Sequence, residues 1–248
     1  FVPYPSETQY IAYMRANHLD LFPRLLDQSQ YNRRARKLAS PLEQLRRDML
    51  QQLGIRQPEY GLLDSKPVPV LGQKRNKRHS DFLGSADYGF CSARQLHYFG
   101  YKLILLATLD GVPLIYDLVP ASTDERRAAD SILGELCGTT IIGDKGFIGD
   151  DWQAEVHQST GNTIWTQKRS NQKQQNRPEF DRLIGAVRER IEGVFHSLQN
   201  TGRNLERLLA KRVQGLVSRI VAKVTALAFR HFFNLSLGWD ILSFSISH

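Results

Sequence analysis

Cysteine is nearly absent from this 248-residue chain: it has two, Cys91 and Cys137. Two thiols cannot make a disulfide framework or a four-cysteine zinc site; they leave room for one bridge, with a reducing compartment the simpler reading. Long apolar runs are missing too. The most apolar stretches, 103–116 and 212–236, are broken by Asp110 and by Arg219, Lys223 and Arg230, so neither reaches the ~18 uncharged residues of a membrane span. The N-terminus lacks the basic, apolar and small-residue order of a secretory signal. The histidines are scattered, and no His-Glu-x-x-His or Cys-x-x-Cys occurs, which argues against a zinc centre. Ser65 has no Gly-x-Ser-x-Gly elbow around it, and no Walker loop occurs. A serine hydrolase and a nucleotide cofactor are therefore not expected.

What is present is positive charge on a foldable chain. Hydrophobic residues make up 41% and charged residues 23%, ordinary for a packed globular protein. The net charge of +8 is clustered. From Arg24 to Arg56 there are eight Lys/Arg against three Asp/Glu, and from Lys66 to Lys102 seven against two. The second cluster centres on Lys74, Arg75, Lys77 and Arg78. Such patches mark a polyanion binder, or else a basic solvated surface.

Residues 6–55 read as helical from apolar residues at three- and four-residue spacing, with Ser40-Pro41 as a start and Gly54 as a stop. This segment, carrying Arg33, Arg34, Arg36 and Lys37, is either a small DNA-binding unit or a helical cap on the domain C-terminal to it. A strand is predicted over 60–66, stopped by Pro67 and Pro69. Residues 72–97 read as an irregular basic insertion. An antiparallel pair succeeds it, 98–109 and 112–119, joined at Asp110-Gly111. Then come a helix over 122–135, a strand over 139–143, a helix over 151–160 ended by Gly161, and a strand over 162–167. Two helices close the chain, 178–200 and 205–235. The first carries the stripe Ile184, Val187, Ile191, Val194, Phe195 and Leu198. This order predicts an α/β layered domain.

Three acids stand out by context. Asp64 lies within an apolar strand, Asp144 ends another, and Glu192 comes directly after Ile191 at the margin of the buried stripe, one turn from Arg188. Carboxylates at such places are costly unless a cation relieves them. Two strand carboxylates and one helix carboxylate can hold two hard cations about 3.5–4 Å apart, the arrangement for in-line attack at phosphorus. Singly, each is as well explained as a cap, a turn residue or a surface ion pair. Trp152 and Trp165 read as core or interface residues, with stacking on an unpaired base as the sharper alternative.

The set Leu63-Asp64-Ser65-Lys66-Pro67-Val68-Pro69, Tyr98-Phe99-Gly100-Tyr101-Lys102, Pro120-Ala121-Ser122, Gly143-Asp144-Lys145-Gly146-Phe147-Ile148 and Arg188-Glu189-Arg190-Ile191-Glu192-Gly193-Val194-Phe195 resembles the DDE transposases of bacterial insertion sequences. The spacing of 47 residues between Asp144 and Glu192 resembles that of the insertion-sequence 982 branch, the branch the chain is most similar to. Tyr31-Asn32-Arg33-Arg34 adds to the likeness, which spans roughly residues 20–235.

The resemblance implies a ribonuclease-H-like mixed sheet flanked by helices, with a helical N-terminal region over 1–57, a catalytic domain over 58–235 and a tail over 236–248. It implies that Asp64, Asp144 and Glu192 hold two Mg²⁺ or Mn²⁺ ions, and that the chain cuts DNA at element ends and joins the freed 3′-OH to target DNA. Lys66, Lys145 and Arg188 are expected on backbone phosphates. Lys74, Arg75, Lys77 and Arg78 are expected on the terminal DNA, with Arg33 and Arg34 as further contacts. A homo-oligomer on DNA in the bacterial cytoplasm is implied, without a membrane or a nucleotide cofactor. The family carries more helical sequence upstream, so a longer natural chain is expected. Asp124 departs from the family pattern and is either a fourth acid or a helix N-cap. A non-catalytic DNA-binding relic and a nuclease that cuts without joining are the competing functions.

Overall fold

In the computed structural model, described for residues 7–71, 80–92, 95–200, 205 and 208–241, the longest strand organises the sheet. β3 (Leu96–Thr108) alternates its apolar residues between two cores: Leu103, Leu105 and Ala107 face one, Ile104 and Leu106 the other. One edge of β3 pairs antiparallel with β1 (Tyr60–Leu71). Along its other edge two strands lie end to end: β2 (Asp87–Cys91) on residues 96–100 and β4 (Pro113–Pro120) on residues 101–107. β1 pairs in parallel with β5 (Thr140–Gly143), and β5 with β6 (Thr163–Thr166). The order is β2-β3-β1-β5-β6, with β4 beside β2 on β3.

Helices cover both faces. α4 (Glu125–Leu133) and α5 (Asp150–Thr160) lie on the face of Leu63, Ile141 and Ile164, sealed by Ala128, Ala129, Ile132 and Val156. α6 (Pro178–Asn200) and α7 (Val213–Ser236) lie on the face of Leu62, Val68 and Ile142. In the predicted stripe of α6, Ile184, Ile191, Val194, Phe195 and Leu198 are buried and Val187 packs beside them. This is a mixed α/β architecture compatible with the ribonuclease-H-like fold, preceded by three helices, α1 (Glu7–Asn17), α2 (Gln28–Lys37) and α3 (Ala39–Gln52).

Buried Arg46 ties α3 to the rim of the sheet. Its Nη1 donates to the carbonyls of Pro113 (3.2 Å) and Leu114 (2.6 Å), and its Nε donates to Glu43 (3.0 Å), which also accepts from the Tyr116 hydroxyl (2.8 Å). Burial, foremost, with the charge of Glu43 holds the Tyr116 phenol well above its ordinary range.

Four expectations need correction. β1 does not stop at Pro67 but runs to Leu71. Proline lacks a donor, and residues two apart share a side of the strand. β5 has ended opposite Leu63, so both missing N–H groups fall on an unpaired edge while β3 holds the other. The stretch 72–97 is not wholly irregular: 87–91 form β2 and β3 begins at Leu96. Residues 72–79 lie outside the described set. Helix α4 starts at Glu125 rather than 122, with Asp124 as its N-cap accepting from the Arg126 N–H at 3.1 Å. Helix α7 starts at Val213 rather than 205, after a loop with Leu209 at φ +52°. Elsewhere the turn signals hold: Gly54 and Gly161 end their helices at φ +70° and +72°, and Gly111 turns the hairpin at φ +84°.

Candidate active site

The β1–β5 register builds the site. Leu63 pairs with Gly143, so Asp64 and Asp144 are the next two residues on neighbouring strands about 4.8 Å apart. Both point to the face of Leu62 and Ile142, which α6 covers. Asp64 is still within β1, held between β1's continued pairing to β3 and the end of β5. Asp144 caps the 3-10 turn Lys145–Phe147 by accepting from the Lys145 N–H.

The Asp64 carboxyl is pushed up to about 7, first by burial and further by Asp144 and Glu125. The Ser65 N–H, 2.7 Å from Asp64 Oδ1, and the charge of Arg188 oppose the rise. Arg188 reaches across from α6, placing Nη2 3.1 Å from Asp144 Oδ1. Seven residues on, buried Phe195 lies under Lys66, with Nζ 5.6 Å from the ring centre. Helical spacing puts Glu192 between these two anchors, and its side chain is exposed.

The structure thus gathers Asp64, Asp144 and Arg188, with Lys66 beside them. Lys145 is exposed at the start of its turn. Glu192 is one turn away and outside the pair: among the described residues no three or more His, Cys, Asp or Glu side chains stand close enough to hold a metal. Two adjacent hard-oxygen donors, one of them with raised proton affinity, fit one divalent cation. Arg33 and Arg34 are exposed on α2, in the N-terminal helices. Lys74, Arg75, Lys77 and Arg78 lie outside the described residues.

Two functional candidates are not evident from the sequence. Glu125 accepts from the Ser65 hydroxyl at 2.8 Å, reaching the end of the sheet from the face opposite α6. Gly146 makes room for it: a Cβ there would overlap Glu125 Oε2. Its signal is an acid at the first turn of α4, one residue from Asp124. Arg169 donates to the Lys145 carbonyl at 3.3 Å, and its signal is a cation just past a strand's carboxyl end. The tryptophans do packing: Trp165 meets Tyr60 and Phe180 at 6.2 and 5.3 Å between ring centres, and Trp152 donates to Asp130 at 2.8 Å. A separate cavity of about 530 Å³ beside Leu109, Gly111, Val194 and His231 contains neither Asp64 nor Asp144.

A carboxylate within β1 beside one at the carboxyl end of β5, with Arg188 brought in from α6 and Lys66 from β1, makes a site suited to phosphoryl chemistry. A family model described as Transposase DDE domain matches residues 56–207, more than half of the chain, and the chain belongs to that family. No curated protein and no solved structure matches it.

Proposed function

We propose that the protein is an insertion-sequence transposase, most similar to the insertion-sequence 982 branch, that cuts DNA at element ends and joins it to target DNA. One observation carries the reading: the β1–β5 register sets Asp64 beside Asp144 in a chain of the Transposase DDE domain family.

Asp64 and Asp144 would hold Mg²⁺ or Mn²⁺, with Glu192 as the third carboxylate of a two-ion site. When bound, such ions activate the attacking oxygen and stabilise the leaving one. The chain's own residues do the rest. Arg188 restrains the Asp144 carboxylate. Lys66, Lys145 and Arg188 meet backbone phosphates near the scissile bond, and Arg33, Arg34, Lys74, Arg75, Lys77 and Arg78 meet them further out. An oligomer pairs two DNA ends on the nucleoid in the bacterial cytoplasm. Among the described residues no helix is long and apolar enough to cross a membrane.

A second reading, a DNA-binding relic, is favoured by the exposure of Glu192 outside the Asp64–Asp144 pair. The deciding experiment incubates the protein with labelled duplex carrying its element ends, in Mg²⁺, Mn²⁺ or EDTA, beside Asp144→Ala. Metal-dependent cuts lost in the variant support the enzyme, and joined products support a transposase over a nuclease. Binding without cutting supports the relic.

A further inference from the structure

A second concave site lies in segments outside residues 56–207. Arg36 of α2 and Lys211 and Arg212 of the loop before α7 line a cavity of about 320 Å³ together with Arg219 and Glu7. Glu7 is already engaged. Its Oε1 accepts from Arg219 Nε and Nη2 at 3.2 and 2.9 Å, and its Oε2 accepts from Asn32 at 2.6 Å. Among the described residues no carboxylate pairs with Arg36, Lys211 or Arg212. Among the described residues three positive charges therefore line one hollow with no carboxylate paired to them, the Glu7 carboxylate there being taken by Arg219 and Asn32.

The floor of the hollow adds to this. The Val213 N–H is taken by Asp81 Oδ2 at 2.9 Å, but the next N–H groups of the first turn have no helical acceptor. Gly215 lines the cavity, and a Cβ there would meet only Arg219 Nη1, at 3.9 Å. The glycine leaves the backbone open to a ligand, at the positive end of a 24-residue helix. Arg33, one turn before Arg36 and exposed, extends the basic surface along α2.

Cationic side chains around open backbone donors recognise a tetrahedral oxyanion. We infer that this cavity is a phosphate-binding site, distinct from the carboxylate pair, that holds the sugar–phosphate backbone of a DNA duplex. The inference rests on the reading of the chain as a DNA-acting protein. It makes the helices before β1 and the start of α7 parts of one DNA clamp.

The test is fluorescence anisotropy of a labelled duplex of arbitrary sequence over a series of salt concentrations, in EDTA so that no cutting occurs. Lys211→Gln/Arg212→Gln is compared with Arg56→Gln/Arg182→Gln, which removes the same charge from exposed residues elsewhere. Circular dichroism checks that each is folded. The pocket variant is expected to bind on the order of 10- to 100-fold more weakly at ~0.1 M salt, with its log–log salt slope reduced by about two, one for each lost contact. The control is expected to keep the wild-type slope. Gly215→Leu, which fills the hollow and leaves the charge unchanged, is expected to weaken binding as well.

If wild type binds duplex and the two double variants share its slope, the pocket assignment is overturned and the DNA reading stands. If wild type does not bind duplex, the DNA reading fails, and thermal unfolding in inorganic phosphate against chloride of equal ionic strength decides what remains. A phosphate-induced rise in Tm that the pocket variant lacks overturns the DNA backbone as ligand in favour of free phosphate. No rise overturns the site altogether.

Discussion

Arg188 Nη2 lies 3.1 Å from Asp144 Oδ1, an ion pair that joins α6 to the end of β5. The same guanidinium lowers the proton affinity of Asp64, so a single cation serves both carboxylates. Arg188→Gln is expected to move the Asp64 midpoint above about 7, which a carboxyl-carbon NMR titration would read. The change in stability is expected to stay within about 1 kcal/mol, since Asp144 is 45% exposed.

Asp64 also makes stability depend on pH. Its folded-state carboxyl titrates at about 7 against an ordinary 3.8. The folded protein therefore binds the extra proton between those values. The stability associated with it is complete below pH ~4 and is lost as pH rises through 7. Asp64→Asn removes that loss. In urea denaturation the variant is expected to gain about 1–3 kcal/mol on wild type at pH 8 compared with pH 4, less than a full conversion of the shift because water reaches the carboxyl. Equal differences at both pH values would count against a strained Asp64.

Gly146 and Glu125 are expected to be coupled. Gly146→Ala sets a methyl group where the Glu125 carboxylate lies, so the flexible side chain swings away and the Ser65–Glu125 bond is lost. The cost is about 1 kcal/mol. In a Glu125→Ala background the same change should cost almost nothing, and a double-mutant cycle measures the difference. Additive effects would mean that the two do not interact.

Arg46 is expected to be the most sensitive position of the N-terminal helices. Arg46→Ala removes the donors to Pro113, Leu114 and Glu43 together, leaving two carbonyls without their donor and the partly buried Glu43 with only the more exposed Arg47, at 3.1 Å. A loss of about 3–5 kcal/mol is expected by denaturant unfolding. Arg46→Met, paired with Glu43→Leu to remove both charges, should be milder.

The sheet and most helices are legible in the sequence because their patterns are local. The α6 stripe, the Asp110-Gly111 hairpin and the Gly161 stop each depend on residues close in sequence. β1 reads too short because the harm of Pro67 and Pro69 depends on which side of the strand is paired, and that is set by where β5 ends. Asp64 is legible as an acid within an apolar strand and Asp144 as an acid at the end of another. Their adjacency comes from a parallel register that the sequence does not state. Glu125 is legible only as an acid in the first turn of α4, because its role depends on a gap at Gly146, twenty-one residues further on. Glu192 stands out for its place on the stripe, and helix periodicity alone does not decide how far a side chain reaches.

The two prolines beyond Asp64 have a further consequence. A strand edge left open beside a reactive site invites any extended peptide to dock by backbone hydrogen bonding, including the same strand of another copy. On this edge of β1 the nitrogens of Pro67 and Pro69 have no hydrogen to offer. A visiting polypeptide would find acceptors without the alternating donors it needs. The margin next to the carboxylates thus discourages strand addition while staying open to a ligand that does not bind by a β-ladder, such as a nucleic acid duplex.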